Sequence, residues 1–226
     1  SGFGRYLTFG LKDDWLKLYL NDTESWFLKN ILGNKQYESM NYWLREAELL
    51  KVKEKRETDL CAKLKDIFKS DELFVYQIIL INLFYNSQLM NWYLSNIQWN
   101  SKYSSSELKD FALNMNSKMS NRTVLNGISS LISTLANSPI GDKLRLGIVE
   151  RKGRETFISK LGTDNIHPIA VAYSLYRYAT LKNRYKFTVS EFYREDNKDG
   201  GPYLLFGMSR PAFENTLRWL QENKKG

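Results

Sequence analysis

Residues 71–97 would be apolar on nearly every side of a helix, with Gln77 and Asn82 among the few interruptions. A helix that is hydrophobic all round has to be enclosed on all sides. A bilayer encloses a span of roughly 20 predominantly apolar residues, and the longest apolar stretch here, Leu73 to Phe84, is shorter and carries those two amides. The enclosure must then come from the rest of the chain. With 226 residues, 42% of them hydrophobic, there is enough material to bury a sizeable core. The segment is therefore predicted as a buried helix at the centre of a mainly α protein, and no membrane is expected as a partner.

The sequence before this segment carries several of the helices that such a core needs. Residues 3–9 are punctuated by glycine and alternate in polarity, which predicts a short strand. Asp13-Asp14 opens a helix with Trp15, Leu18 and Tyr19 on one face, its carboxylates suiting the positive end of the helix dipole. Helices over residues 25–32 and 35–46 follow, joined by a turn at Gly33-Asn34, with Tyr37, Met40 or Asn41, and Leu44 at helical spacing. The charge run 51–57 is read as the boundary between a unit of residues 1–57 and a helical core of residues 58–226, or as a solvated loop within one continuous domain. Leu60, Leu64, Ile67 and Phe68 line one face of a helix over residues 59–68.

Beyond the centre, hydroxyls mark helix starts. The run Ser104-Ser105-Ser106-Glu107 caps a helix ending near Met115, and Ser120 caps a long helix in which Val124, Ile128, Leu131 and Leu135 recur on one face. Asn137-Ser138-Pro139 ends it. Residues 140–157 carry three glycines among alternating apolar residues, the pattern of a hairpin. His167-Pro168 opens a helix to about Leu181, the capping box at Thr188 and Glu191 starts a short one, and residues 199–202 form a loop. Ser209 caps a last helix with Phe213, Leu217 and Leu220 as its buried stripe.

Three of these stretches read as helix, turn, helix, and the hairpin after the second reads as a wing. The predicted fold is winged-helix or helix-turn-helix-like units packed around the central helix, with minor β hairpins. Such units bind DNA by placing the start of the second helix in the major groove, so polar residues there are the candidates. They are Asn34, Lys35, Gln36 and Ser39 in the first unit, Asn121, Arg122, Thr123 and Asn126 in the second, and Arg210, Asn215 and Arg218 in the third. The net charge of +8 and a pI near 9.3 favour an acidic partner. Its distribution is uneven. No carboxylate lies between Asp110 and Asp142, where Lys118 and Arg122 flank the long helix start, and none between Asp164 and Glu191. The second window interleaves Arg177, Lys182, Arg184 and Lys186 with Tyr176, Tyr178 and Tyr185, a pattern that neutralises phosphates and offers ring faces to unpaired bases.

Other chemistry has less support. One cysteine, Cys61, forms no intramolecular disulfide, and no signal sequence is recognisable, so a cytoplasmic location is expected. The opening Ser1-Gly2 without Met is expected of a processed or tagged fragment. A single histidine and a single cysteine do not make a zinc site, and no P-loop or dinucleotide fingerprint is present. His167 is read as a capping or packing residue and Cys61 as an inert buried thiol. No cofactor is expected of a pure DNA binder. The enzymatic alternative is a DNA-nicking nuclease using Mg or Mn held by Glu191, Glu195 or Asp196, Asp13-Asp14 being a weaker pair because adjacent acids diverge on a helix. A third reading is an interaction scaffold whose basic faces meet acidic protein surfaces.

Several segments together resemble the family catalogued as domain of unknown function 4007. They are Phe3-Gly4-Arg5-Tyr6-Leu7-Thr8-Phe9 with Trp15-Leu16-Lys17, Leu32-Gly33, Met40, Tyr42-Trp43-Leu44, Asn91-Trp92-Tyr93, Asn137-Ser138-Pro139-Ile140 and His167-Pro168-Ile169-Ala170 to Tyr173. The likeness spans nearly the whole chain. It implies gene clusters with sulfur-transfer enzymes of the phosphoadenosine phosphosulfate reductase type, linked to DNA phosphorothioation and phage defence, and so a DNA-recognition component with such an enzyme as a partner. Members of that family often carry His where this chain has Tyr6, and the strands expected after the last helix are not found here.

Overall fold

A computed structural model describes residues 2–28 and 31–223. The protein is mainly helical with a small antiparallel sheet, and the apolar segment lies at its centre. That segment is two helices rather than one. α5 (Glu72–Asn86) and α6 (Gln88–Asn96) meet at 97°. Ser87 makes the corner: its N–H ends α5 on the Leu83 carbonyl, and its hydroxyl accepts the Met90 N–H to start α6. A hydroxyl at that point satisfies a donor that a new helix would leave unpaired. Gln77 and Asn82 are buried tethers. Gln77 accepts the His167 N–H at 2.9 Å, and Asn82 donates to the Ala47 carbonyl at 3.0 Å. No single helix among the described residues is long and apolar enough to cross a membrane.

On one side lie α1 (Asp13–Asn21), α2 (Thr23–Leu28), α3 (Asn34–Glu46) and α4 (Asp59–Phe68). The predicted extension of α2 to residue 32 crosses positions outside the described residues. The buried face of α1 is Trp15, Leu16, Tyr19 and Leu20, while Leu18 faces outward, contrary to the predicted stripe. Residues 51–57 form an exposed loop whose ends are closed by the Leu50–Glu57 bridge and by Thr58 N–H on the Leu49 carbonyl. Leu49 and Leu50 before that loop, and Cys61 and Leu64 after it, belong to one hydrophobic core.

On the other side the order is β1 (Ser101–Ser104), α7 (Ser105–Met115), α8 (Asn121–Asn137), β2 (Ile148–Lys152) and β3 (Glu155–Lys160). The strands lie in the order β1–β3–β2, with Ile158 of β3 opposite both Tyr103 and Val149. The hairpin is shorter than predicted, because residues 140–147 form turns packed under α8. Gly141 is required there, since a Cβ would sit 1.8 Å from the Leu135 carbonyl oxygen. α9 (Pro168–Lys182), a 3-10 turn (Val189–Tyr193), α10 (Pro202–Phe206) and α11 (Arg210–Glu222) complete the chain. Pro202 was expected to end a loop and instead occupies the first turn of α10.

Residues 3–9 form a strap of turns instead of the predicted strand, beginning with a 3-10 turn at Gly2–Gly4. Side chains satisfy part of its backbone. Ser39 Oγ donates to the Tyr6 and Phe9 carbonyls, while Trp43 Nε1 and Ser130 Oγ also donate to the Phe9 carbonyl. Tyr6 stacks on Trp43 at 3.8 Å, and its hydroxyl bonds Ser87 Oγ and the Glu46 carboxyl. Burial holds Glu46 up at about 7, against the opposing pull of Ser87 and Arg5.

At the end of β3, Lys160 is fully buried. Its ammonium donates to the Ile97, Leu94 and Tyr93 carbonyls at 2.6, 3.1 and 3.3 Å and lies 4.2 Å from the Trp99 ring centroid. These carbonyls lie at the carboxyl end of α6, where helices lack internal donors and favour cations. Burial, with a smaller push from Lys198, holds the Lys160 pKa well below the usual lysine value.

Lys160→Met leaves the Leu94 and Ile97 carbonyls without the donor that Lys160 supplies and is expected to cost about 3 kcal/mol in urea unfolding; a loss below about 1 kcal/mol contradicts the assigned role. Glu46 binds its proton more tightly folded than unfolded, so its contribution is complete below about 4.5 and is lost as pH rises toward about 7. Stability should fall by up to about 3 kcal/mol across that window. Unfolding curves of Glu46→Gln should not show this slope.

Candidate nucleic-acid interface

α7 and α8 are both closed at their starts by serine. Ser104 and Glu107 form a reciprocal capping box at 2.7 and 3.1 Å, and Ser120 Oγ accepts the Thr123 N–H at 3.2 Å. Val124, Ile128, Leu131 and Leu135 are buried, as their spacing predicted. The opposite side of α8 presents Arg122, Asn126, Ser129 and Ser133 with no carboxylate, and ends at exposed Asn137. Lys118, Asn121 and Arg122 are exposed at its start, and Asn126 is half-buried one turn on. Thr123 is turned partly away: its hydroxyl bonds Ser120 at 2.8 Å and its methyl packs against Gly4, where a Cβ would lie 2.9 Å from it.

The β2–β3 hairpin adds cations that the sequence reading did not single out. Its register closes at Lys152 opposite Glu155 around a two-residue turn, with Gly153 at φ +62°, a conformation that glycine adopts without strain. Arg151, Lys152 and Arg154 are exposed at the tip. The signal was present as Arg-Lys-Gly-Arg, basic residues on both sides of a turn glycine. From α6 through β3 the chain holds ten Lys and Arg against five Asp and Glu, so about a third of the sequence carries five of the eight excess charges.

The other predicted contacts are placed differently. In α3, Lys35 is exposed, but Gln36 Oε1 accepts the Gly33 N–H at 3.2 Å and Ser39 is fully buried beneath the strap. Ser39 is thereby withdrawn from any surface. Arg177 is withdrawn too: it donates to Glu48 and to Asn82 Oδ1, each at 2.7 Å, and lies 4.9 Å from the Tyr85 ring centroid. Lys182 pairs with Asp199, Arg184 with Glu191, and Arg210 with Glu214 at 2.8 Å, while Arg218 bonds Asn215. Lys186 is exposed. The window 165–190 lacks acids in sequence, but acids from residues 48, 191 and 199 reach it in space.

The carboxylates of the nuclease alternative have structural partners. Glu191 closes the cap at Thr188 and pairs with Arg184, Asp196 is held by Arg194, and Asp13 binds Lys17 and Tyr76. Glu195 is exposed. No group of three or more His, Cys, Asp or Glu among the described residues is arranged to hold a metal ion. His167 caps α9 through Nδ1, which accepts the Ile169 N–H at 3.2 Å, and packs on Phe74. Cys61 is buried beside Tyr19, and burial pushes its thiol up to about 12. No family model, curated protein or solved structure matches the chain.

The contrast between Arg177 and Arg122 is measurable. Arg177→Ala should lose about 2 kcal/mol of stability, because its bonds to Glu48 and Asn82 are partly shielded from water. Arg122→Ala, on an exposed helix start, should leave thermal unfolding unchanged. Equal destabilisation by the two would contradict this division.

Proposed function

We propose that the protein is a DNA-recognition component of a DNA-modification or phage-defence assembly, binding duplex DNA through a winged-helix unit formed by α6, β1, α7, α8, β2 and β3. The observation that carries this reading is the strand order β1–β3–β2 wrapped around α7 and α8. In a winged helix the first strand pairs with the third, and the hairpin projects beside the second helix of the pair.

α8 is the recognition helix in this reading. Arg122 and Asn126 approach base edges, Lys118 and Asn121 engage the backbone near the helix start, and Arg151, Lys152 and Arg154 bind phosphates from the wing. The short serines along α8 allow close approach. The lack of carboxylates on this helix removes the repulsion a phosphate would otherwise meet. The phosphorothioation setting, with a sulfur-transfer enzyme as partner, rests on the family resemblance alone.

The test is a duplex titration at several salt concentrations. Affinity should fall by roughly 0.9 log unit per log unit of salt for each phosphate neutralised. Arg122→Ala should weaken binding by about fivefold or more, and alanine at Arg151, Lys152 and Arg154 together should flatten the salt slope by about 2 to 3. Lys182→Ala should change neither. Absence of binding at low salt, or a slope unaffected by the wing substitutions, would sink the proposal.

A further inference from the structure

The strap of residues 3–9 is tied down in two ways. Across α8 the ties carry no charge. Phe3 packs against Gly127, Gly10 just beyond the strap passes so close that a Cβ there would lie 2.2 Å from the Thr134 nitrogen, and Ser130 and Thr134 take up the Phe9 carbonyl and the Leu11 N–H. Across α3 the tie is an ionisable group. Tyr6 is fully buried, and its hydroxyl reaches the Glu46 carboxyl and Ser87, which stands at the corner between α5 and α6. Glu46 is itself only 8% exposed, with Tyr6 of the strap set against it.

Few charges face that carboxyl. Arg5, on the strap, is 3.9 Å away and 53% exposed, and it is the one cation within ion-pair distance of Glu46 among the described residues. On α3 the Arg45 guanidinium lies over the Tyr42 ring at 5.8 Å, and just past the helix Glu48 is held by Asn86 and by Arg177 of α9. α5 and its corner with α6 bring Asn86 and Ser87, which carry no charge. A carboxylate here gives up its hydration and recovers little from a half-solvated guanidinium. The closed strap therefore favours the neutral acid, and burial pushes Glu46 up to about 7 against the pull of Ser87 and Arg5. Once the strap lifts, the carboxyl meets water and ionises in the ordinary glutamate range, near 4.5.

We propose that the strap is a proton-operated latch: it closes over α3 and α8 while the Glu46 carboxyl is neutral and opens when that carboxyl ionises, taking the bracing of α8 with it. Opening releases Phe3, Tyr6 and Phe9 with their bonds, a local event that leaves the α5–α6 core folded. The closed form is favoured in full below about 4.5 and loses that advantage as pH rises to about 7. The consequence for duplex affinity rests on the reading of α8 as the recognition helix; the opening itself does not.

The test is hydrogen–deuterium exchange of the full chain at pH 5 and pH 7.5, each rate corrected for the intrinsic exchange of an unfolded chain. Protection of residues 3–11 should fall by about tenfold or more between the two, and should stay below that of α5 at both. In Glu46→Gln, which keeps the shape and cannot ionise, protection of the strap should hold steady. Arg5→Ala, at an exposed position, removes a cation that favours the carboxylate, so the midpoint of the fall should move to higher pH. Equal protection of the wild-type strap at the two pH values overturns the latch. So does a strap that exchanges no faster than α5, or a midpoint that Arg5→Ala leaves in place. Duplex affinity of the wild type should fall over the same range relative to Glu46→Gln, and a strap that opens without that fall overturns the coupling to α8. Absence of DNA binding at every pH counts against the duplex reading alone, and the exchange result still decides the latch.

Discussion

A sheet of three short strands holds its place only if something fixes it to the core, and here that is the ammonium of Lys160. The residue is the last of β3, and its backbone pairs with Ser101, the first residue of β1. Its side chain reaches the carbonyls that end α6. One residue therefore joins the end of α6, the start of β1 and the end of β3. A hydrophobic replacement would fill the volume but leave the Leu94 and Ile97 carbonyls without the donor that Lys160 supplies, and unpaired buried carbonyls are costly. Lys198, which donates to the Ser95 carbonyl, reinforces the same helix end from the loop before α10.

The geometry of the hairpin follows from that anchor. β3 runs from Glu155 beside the turn to Lys160 in the core, so six extended residues carry the tip about 16 Å from the anchored end. The basic tip is thus free of the core while its base is rigid. α8 is braced independently. Phe3 of the strap packs where a Cβ on Gly127 would collide with it, Ser130 donates to the Phe9 carbonyl, and Leu11 N–H donates to Thr134 Oγ1 at 2.9 Å. The strap therefore takes up one side of α8 and leaves the side bearing Arg122, Asn126, Ser129 and Ser133.

Which features could be read from the sequence follows the range of the forces involved. α4 and α8 begin and end close to where caps and spacing put them, because those signals act within four residues. The corner at Ser87 was hidden, since a serine inside an apolar run looks like an interior polar residue until its hydroxyl is seen to start a helix. The strap misled for the opposite reason: alternation suggested a strand, but its carbonyls are satisfied by side chains from α3 and α8, 30 or more residues away. Ser39 lies where the helix-turn-helix pattern predicts a base contact and is buried by that same strap. The basic tip of the β2–β3 hairpin was legible in composition and was missed because the charge windows were defined by the absence of acids, and Glu150 and Glu155 flank it.

Charge windows in sequence measure something different from the field a partner meets. Arg177, Lys182 and Arg184 lie in an acid-free window, yet each has a carboxylate from elsewhere within 4.0 Å. At the exposed Lys182 and Arg184 pairs the Coulomb energy is small, but the pairing lowers the local field that draws in a polyanion. Lys118, Arg122, Arg151, Lys152 and Arg154 are exposed cations in none of the ion pairs found among the described residues. Counterion release depends on cations that can reach a phosphate without first giving up an acid. On that criterion α8 and the β2–β3 hairpin outrank the end of α9, although the sequence windows rank them equally.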